Sequence, residues 1–294
     1  MIYKIIIGIL LAALVVFGPD WRYVDGFIKI DHPAMLGWLK LSTYGIMMAV
    51  GFLTANFLLQ KEFRRLQYDE KLADRILIGA IVGGLLGSKI AFIIEQYADI
   101  HSFSQMIDMF FSGGGLTWYG GLIVAAGVII FFIKREKLSA LHIADVVTPM
   151  LASGYGFGRL GCLISGDGCY GQKCDLNLPV PFCDSFPRGA APWSEIVRQY
   201  GDPGVLVYNT PLFEALASFS FFVLFWALRK KEFPLGVKVF SFLILHAIVR
   251  FLVEIIRLNP ENVFGMTQGQ FISIGLILIG LTYIGKVFIL DKKA

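Results

Sequence analysis

Apolar residues in this chain occur in long stretches, separated by shorter segments that are polar or charged. A stretch of about 20 apolar residues is what an α-helix needs to cross the hydrocarbon core of a bilayer. None of the stretches shows the alternation of a membrane β-strand. The pattern predicts an all-α fold, a polytopic helical membrane bundle with seven core transmembrane helices. We place these helices near residues 42–60, 76–94, 116–133, 141–164, 211–228, 236–256 and 269–290.

The composition agrees with a membrane domain. Of the 294 residues, 56% are hydrophobic and only 16% are charged, whereas about 25% are charged in an ordinary soluble domain. These values exclude a soluble globular protein and a disordered one, because the apolar surface exceeds what a single core can bury. The formal net charge of +4 is too small to indicate a nucleic-acid partner.

Basic residues are concentrated in alternate loops, which indicates how the chain is oriented. The loops between the other helices contain few basic residues, including the long loop at 165–210. Because basic loops remain on the cytoplasmic side, the C-terminus is expected in the cytoplasm and the long loop outside. The basic residues that follow the first, third, fifth and seventh helices are Lys61, Arg64, Arg65, Lys71, Arg75, Lys134, Arg135, Lys137, Arg229, Lys230, Lys231, Lys292 and Lys293.

A shorter apolar run at residues 5–18 precedes the seven helices and follows Lys4. It is short for a span, so we interpret it as an extra N-terminal apolar helix of the signal-anchor type, with a signal-peptide core as the alternative. Aromatic residues within 20–40 are typical of a membrane interface. The predicted organisation is a signal-anchor-like and interfacial segment at 1–40 and a seven-span membrane domain at 41–294, with the outer loop at 165–210.

The sixth predicted helix and its end carry four ionisable side chains: His246, Arg250, Glu254 and Arg257. Their spacing of four, four and three residues places them on one helical face. Inside a bilayer each needs a partner, a water-filled cavity or a function. Arg250 and Glu254 can pair, which leaves Arg257 to bind an anion, most simply a lipid phosphate; a purely structural ion network is the alternative. Glu214, at the outer start of the fifth helix, either caps that helix or enters the site.

A glycine-rich run at 154–171 covers the outer end of the fourth predicted helix and the start of the loop. Two of its glycines have the small-xxx-small spacing of closely packed helices. Gly166 and Gly171 instead follow the helix, where backbone amides could approach an anion. Arg159 lies between these groups and is the residue that we most expect to contact a phosphate.

All four cysteines of the chain lie on or beside the outer loop. A disulfide among the last three is reasonable on an oxidising side of the membrane, with the pairing left open. Zinc is disfavoured, because the spacing lacks a C-x-x-C pair and no histidine occurs between residues 142 and 246. A membrane thiol-redox protein is a competing interpretation. The cysteines are Cys162, Cys169, Cys174 and Cys183.

At this point the residues resemble a known family. The run GRLGCLISGDGCYG at 158–171 looks like the signature of the bacterial prolipoprotein diacylglyceryl transferases. Three further segments are similar to this family in the same order: STYGIMMAVGF at 42–52, GGLTWYGGLIVA at 114–125 and RFLVEIIRLNP at 250–260. The resemblance covers residues 30–290.

The resemblance implies an enzyme of the bacterial inner membrane. Its reaction would transfer the diacylglyceryl group of phosphatidylglycerol to the lipobox cysteine thiol of a preprolipoprotein, releasing glycerol phosphate. The implied partners are phosphatidylglycerol, the preprolipoprotein signal peptide and the surrounding membrane lipid, with no nucleic acid. No cofactor and no metal are expected.

The resemblance also assigns roles to individual residues. By motif match, Arg159 and Arg250 take the positions of the family's essential arginines, and Glu254 is the partner of Arg250. Tyr44 matches a tyrosine near the site. The substrate-binding residues expected besides these are Arg257, Gly120, Gly121, Gly166 and Gly171.

Two departures from the family pattern concern acid–base chemistry. The family often has histidine where this chain has Tyr119, and often has tyrosine where this chain has His246. Tyrosine is a poor base at pH 7, because its reference pKa is about 10. We therefore hypothesise that the positions have exchanged roles, with His246 supplying the imidazole and Tyr119 the hydroxyl. The alternative is that no residue acts as a base, since a thiol already has a thiolate fraction at neutral pH.

A third departure is Cys162, which stands where the family usually has asparagine. A thiol hydrogen-bonds only weakly, so the substrate contact differs there. This departure and Tyr119 support a second interpretation, a family paralogue that acts on a different lipid or thiol. An anion or lipid transporter is a third, disfavoured because the chain shows no repeated halves.

Overall fold

The computed structural model describes residues 27–29, 40–100, 102–111, 117–165, 169–176, 182–185, 205–259 and 265–291. The described chain is helical, with eight α-helices and two short antiparallel strand pairs. The predictions for residues 1–26 and for most of the interfacial segment lie outside the described residues. The helices are α1 Thr43–Arg65, α2 Glu70–Glu95, α3 Phe103–Phe111, α4 Trp118–Arg135, α5 Ala140–Ser165, α6 Thr210–Leu228, α7 Val237–Ile255 and α8 Gln268–Asp291.

An α-helix occupies each of the seven ranges in which the apolar pattern predicts one. Three of them are long and apolar enough to cross a membrane, over Glu70–Glu95, Thr210–Leu228 and Gln268–Ile289. The nine-residue helix α3 is an addition, because its range is too short to stand out in a search for spans. None of the α3 residues is buried within the described part of the chain.

Local sequence signals explain where several helices begin. The carboxylate of Asp69 accepts a hydrogen bond from the amide of Lys71, which satisfies a donor at the start of α2. The side chain of Asn209 does the same for α6 by accepting from the amide of Leu212. Gly236, whose φ is +83°, precedes α7 in a conformation that residues with a side chain rarely adopt.

The chain divides into two compact units, one formed by residues 1–55 and 148–294 and the other by 56–147. In the unit 56–147, α2 and α4 pack through glycines on both helices. A Cβ atom at Gly87 would overlap the carbonyl oxygen of Gly120 and lie 2.6 Å from Cβ of Val124. One at Gly121 would lie 2.8 Å from the carbonyl oxygen of Gly84. Small residues thus allow the two backbones to approach closely, as in other membrane helices.

The unit of residues 1–55 and 148–294 has a core formed by α1, α5 and α6. Its buried apolar residues are Met47, Leu160, Leu163, Ile164, Tyr170, Val207, Leu212 and Ala215. Helix α7 packs on both α6 and α8. The core therefore surrounds the C-terminal end of α5, which belongs to the glycine-rich run.

A small β-structure stands beside this core. Strand β1, Phe27–Lys29, pairs with β2, Lys40–Ser42, and β3, Cys183–Ser185, pairs with β4, Leu206–Tyr208. The other edge of β4 pairs with residues 171–174, through bonds such as the 2.9 Å one from the amide of Gly171 to the carbonyl of Tyr208. Strand β3 and the segment 171–174 thus lie on opposite edges of β4.

Of the three cysteines Cys169, Cys174 and Cys183, the last two form a disulfide, which settles the pairing that the sequence left open. The bond joins the two segments that flank β4. Cys162 and Cys169 remain thiols. A disulfide that closes a loop stabilises a fold mainly by restricting the unfolded chain.

The glycine contact between α2 and α4 predicts opposite effects for neighbouring glycines. Gly87→Ala forces the helices apart, and we expect a cost of about 1–3 kcal/mol from overpacking. Gly84→Ala meets no atom within 4 Å and is the matched control; it should leave the melting temperature unchanged or raise it, because alanine favours helix. Thermal unfolding of both variants in the same detergent tests this, and equal melting temperatures would contradict the packing.

Candidate active site

A buried glutamate, Glu214, is the centre of the polar cluster in the unit of residues 1–55 and 148–294. It lies in the first turns of α6 with 2% of its surface exposed. Its Oε1 accepts hydrogen bonds from the hydroxyl of Tyr155 at 2.8 Å and from Nη1 of Arg250 at 3.1 Å. Its Oε2 lies 3.0 Å from Nε of Arg159 and 3.8 Å from Nη1 of Arg257. One carboxylate therefore faces three guanidinium groups.

The sequence left open whether Glu214 caps α6 or enters the site, and the structure decides for the site. The cap is Asn209, whose side chain accepts from the amide of Leu212. With the amides of this turn capped by a neutral residue, the carboxylate of Glu214 is directed to the arginines of α5 and α7.

The second carboxylate of the cluster belongs to Glu254. Its Oε2 lies 2.7 Å from Nη2 of Arg250, which confirms the ion pair expected from the four-residue spacing. Its Oε1 accepts a hydrogen bond from the side chain of Asn259. A Cβ atom at Gly269, in the first turn of α8, would lie only 2.9 Å from the carboxyl carbon of Glu254. Glycine at this position leaves room for the carboxylate.

Arg159 lies near the C-terminal end of α5, with 15% of its side chain exposed. Its Nε donates a hydrogen bond of 2.9 Å to the hydroxyl of Tyr155, one turn earlier in the helix. Its Nη1 donates to Sγ of Cys162 at 3.9 Å, a weak bond to sulfur. The thiol that replaces the family's asparagine thus contacts the arginine expected to bind phosphate.

Arg257 follows the end of α7, and the loop after α5 holds its backbone. Gly171 forms a β-bridge with Arg257, and the amide of Gln172 donates to the carbonyl of Ile256 at 2.7 Å. The amide of Gly171 donates to the carbonyl of Tyr208 and is therefore already hydrogen-bonded, and contact of Gly171 with substrate stays a prediction. Glycine is required here for close approach, because a Cβ would lie 2.5 Å from the carbonyl oxygen of Ile256. Gly166 lies outside the described residues.

His246 belongs to the same cluster but makes ring contacts there. Its imidazole lies edge-to-face against the ring of Tyr155, with centroids 4.4 Å apart, and stacks on Phe242 at 5.7 Å. The spacing predicted one shared face for four residues, and all four belong to one cluster: His246, Arg250, Glu254 and Arg257.

The remaining predicted residues fall in two places. Tyr44, in the first turn of α1, is 39% exposed, and its ring packs against Gly161 of α5. Tyr119, Gly120 and Gly121 belong to the other unit, at the start of α4. The packing against α2 accounts for glycine at 120 and 121, and their contact with substrate stays a prediction.

The charges of the cluster do not cancel. Among the described residues, the three arginines around Glu214 and Glu254 face only those two carboxylates, which leaves one positive charge in excess. Charges in a low-dielectric site interact more strongly than in water, and guanidinium groups match the oxygen geometry of phosphate. The arrangement can therefore bind an anion with a single negative charge.

Two members of the cluster are not among the site residues expected from the sequence as functional: Glu214, considered only as one option, and Tyr155. The available signal for Glu214 was an acidic residue inside an otherwise apolar helix, which membrane energetics make costly. Tyr155 gave one weaker signal, its position one turn before Arg159 in the glycine-rich run.

These features define a class: a helical membrane protein with a buried, positively charged polar cluster between apolar helices. Comparison with known proteins makes the class specific. Residues 33–285 match the family described as prolipoprotein diacylglyceryl transferase. The chain belongs to this family, and it is a transferase.

Similar proteins with the same description occur in several bacteria. A phosphatidylglycerol–prolipoprotein diacylglyceryl transferase of Leptospira interrogans is 33% identical over 300 residues, covering 85% of this chain and 90% of the relative. The one of Clostridium tetani is 31% identical over 246 residues, with 83% and 92% covered. That of Shewanella oneidensis is 30% identical over 277 residues, with 91% and 92% covered.

The central position of Glu214 predicts an order of stabilities. Glu214→Gln removes the charge that three arginines share, whereas Glu254→Gln removes the partner of one arginine. We expect Glu214→Gln to lower the free energy of unfolding by about 3–5 kcal/mol, because it leaves buried charges without compensation. Glu254→Gln should cost less. Thermal unfolding in chloride buffer without phosphate compares the two, and a larger loss for Glu254→Gln would contradict the central role of Glu214.

Proposed function

We propose that the protein transfers the diacylglyceryl group of phosphatidylglycerol to the lipobox cysteine thiol of a preprolipoprotein. The observation that carries this proposal is the buried cluster with one positive charge in excess. A phosphodiester has one negative charge, so the cluster and the lipid phosphate are complementary. The names of the similar proteins specify phosphatidylglycerol and a prolipoprotein.

The reaction requires charge stabilisation at the phosphate. The thiol sulfur forms a bond to a glycerol carbon of the lipid, the bond from that carbon to the phosphate oxygen breaks, and glycerol phosphate leaves. Negative charge on the phosphate grows during this step. Fixed guanidinium groups that stabilise it in a site with little water lower the barrier. We assign this role to Arg159 and Arg250, with Arg257 as a further binding group.

The two glutamates have an orienting role in this mechanism. Glu214 holds Arg159 and Arg250 through separate oxygens, and Glu254 binds Arg250 from another side. Arginine side chains held in this way require little reorganisation when the phosphate charge develops. Tyr44 and the glycines 120, 121, 166 and 171 remain the proposed surroundings of the substrates.

The thiol proton has two proposed routes. In the first, His246 accepts it and Tyr119 supplies a hydroxyl to the substrate. In the second, no residue acts as a base, and the thiolate already present near the arginines reacts. The ring contacts of His246 with Tyr155 and Phe242 make a third role, as packing support for Tyr155, equally testable.

The proposed setting is the bacterial inner membrane, crossed by the seven long helices, with the C-terminus in the cytoplasm. The distribution of basic residues supports this orientation. The disulfide between Cys174 and Cys183 supports an outer location for the long loop, because disulfides persist in oxidising compartments.

A direct assay tests the function. Purified protein is mixed with phosphatidylglycerol vesicles and a lipobox peptide, and the mass of the peptide is followed. We expect the mass of one diacylglyceryl group to be added. Arg159→Ala and Arg250→Ala should each reduce the rate by at least about 100-fold, because each removes a charged contact to the phosphate.

The matched control is Arg229→Ala. Arg229 follows α6 and lies over the ring of Trp226, away from the cluster, so its loss should leave the rate within twofold. A folded parent protein that adds no mass would overturn the proposal. The same assay with other phospholipids and thiols would then test the paralogue that Cys162 and Tyr119 favour, and lipid movement across sealed vesicles would test a transporter.

His246 is tested with two substitutions in the same assay. If His246 is the base, both His246→Phe and His246→Ala lose at least about 100-fold in kcat, as general-base catalysis typically contributes 10²–10⁴-fold. If it only supports Tyr155, phenylalanine preserves a ring contact and most of the rate, whereas alanine does not. Near-normal turnover of His246→Phe would therefore contradict the exchange of roles between His246 and Tyr119.

A further inference from the structure

Tyr155 lies between Arg159 and Glu214, the carboxylate that also binds Arg250. It lies on α5 one turn before Arg159, so both side chains share a helical face. Its hydroxyl accepts a hydrogen bond from Nε of Arg159 at 2.9 Å and donates one to Oε1 of Glu214 at 2.8 Å. The same Oε1 accepts from Nη1 of Arg250. A single hydroxyl thus lies between one arginine and the carboxylate that binds the other.

The ring of Tyr155 is held from two sides. The imidazole of His246 lies edge-to-face against it, with centroids 4.4 Å apart. The guanidinium carbon of Arg159 lies 5.0 Å from the centroid of the ring, within the range of a cation–π contact. Because the ring is packed in this way, its hydroxyl has a defined direction.

The hydroxyl of Tyr155 accepts the hydrogen bond that Nε of Arg159 donates. Nε of Arg159 is occupied by Tyr155 and Glu214, and Nη1 makes only the weak bond to Cys162. Within the described ranges, Nη2 of Arg159 makes no hydrogen bond. Among the described residues, the Nη2 side of the guanidinium thus has no hydrogen-bond partner, while Tyr155 and Glu214 anchor its Nε side.

We propose that Tyr155 is a positioning residue for catalysis, which aims the guanidinium of Arg159 at the phosphate that leaves. This inference rests on the proposed transferase function and adds a residue to it. A neutral hydroxyl suits the role, because a third carboxylate at this place would cancel the positive charge in excess. Phenylalanine keeps the ring contacts and lacks only the hydroxyl.

The test compares Tyr155→Phe with Tyr283→Phe in the transfer assay. Tyr283 is the matched control, since its hydroxyl donates to the carbonyl of Leu235, which precedes α7 and is not part of the cluster. We expect Tyr155→Phe to lower kcat about 10- to 100-fold with KM for phosphatidylglycerol within threefold, as for an interaction that strengthens in the transition state. Tyr283→Phe should stay within twofold. A normal kcat for Tyr155→Phe, in an active parent, overturns the inference.

Two further variants separate the hydroxyl from the ring. Tyr155→Gln retains an acceptor for Arg159 and a donor for Glu214, whereas Tyr155→Leu retains neither. A positioning role predicts that glutamine keeps a higher kcat than leucine. A role of the ring alone predicts instead that phenylalanine stays near the parent and that glutamine and leucine are equally low. This comparison remains valid even where Tyr155→Phe folds poorly.

A readout without catalysis distinguishes failure of the inference from failure of the proposed function. Melting temperatures are measured for Tyr155→Phe, Arg159→Lys and the double variant. Lysine lacks the Nε donor, so the losses should be non-additive if Tyr155 acts on Arg159. If the melting-temperature losses are non-additive and the parent protein transfers no lipid, the proposed function is rejected while the contact between Tyr155 and Arg159 is supported. Additive losses would overturn the role of Tyr155.

Discussion

The buried carboxylate of Glu214 is the interaction on which the site depends. Removing a charge from water is costly, and a carboxylate in an apolar helix must be compensated by nearby cations. Three arginines provide this compensation, from α5, from α7 and from the residues after α7. In turn each arginine depends on Glu214, because a guanidinium in the same surroundings is equally costly alone. The cluster is therefore stable only as a whole.

The surrounding fold keeps these groups together. Glycine at 171 allows the loop after α5 to pair with the backbone at Arg257, and the disulfide joins the segments on both edges of β4. Glycine at 269 leaves space for Glu254. One close backbone approach, one space left by a glycine and one covalent bond thus support the arrangement of the cluster.

The excess of positive charge supports the proposal that this cluster binds an anion and is more than a structural ion network. A network that serves stability alone has the lowest cost when its charges balance. Here one positive charge remains among the described residues, and a phosphodiester anion would neutralise it. In the proposed transfer the phosphate gains negative charge, so the same cluster would bind the transition state more strongly than the lipid. Binding and catalysis then have one electrostatic origin.

The amino-acid sequence by itself determined the seven helical ranges, the family and part of the site. Apolar length identifies the helices, and the spacing of Arg250, Glu254 and Arg257 predicts a shared face, because these are properties of a single helix. Motif similarity then identified Arg159 as the arginine of a second helix.

Only the tertiary structure decided how these helices combine. Glu214 lies 36 residues from Arg250 and 59 from Tyr155, so no local spacing predicts their hydrogen bonds. The pairing of Cys174 with Cys183, and the packing role of glycine at 87, 120 and 171, also depend on partners that are remote or on separate elements. The physical reason is that helical periodicity fixes the direction of a side chain relative to its own helix. Which carboxylate it meets is decided by packing between helices.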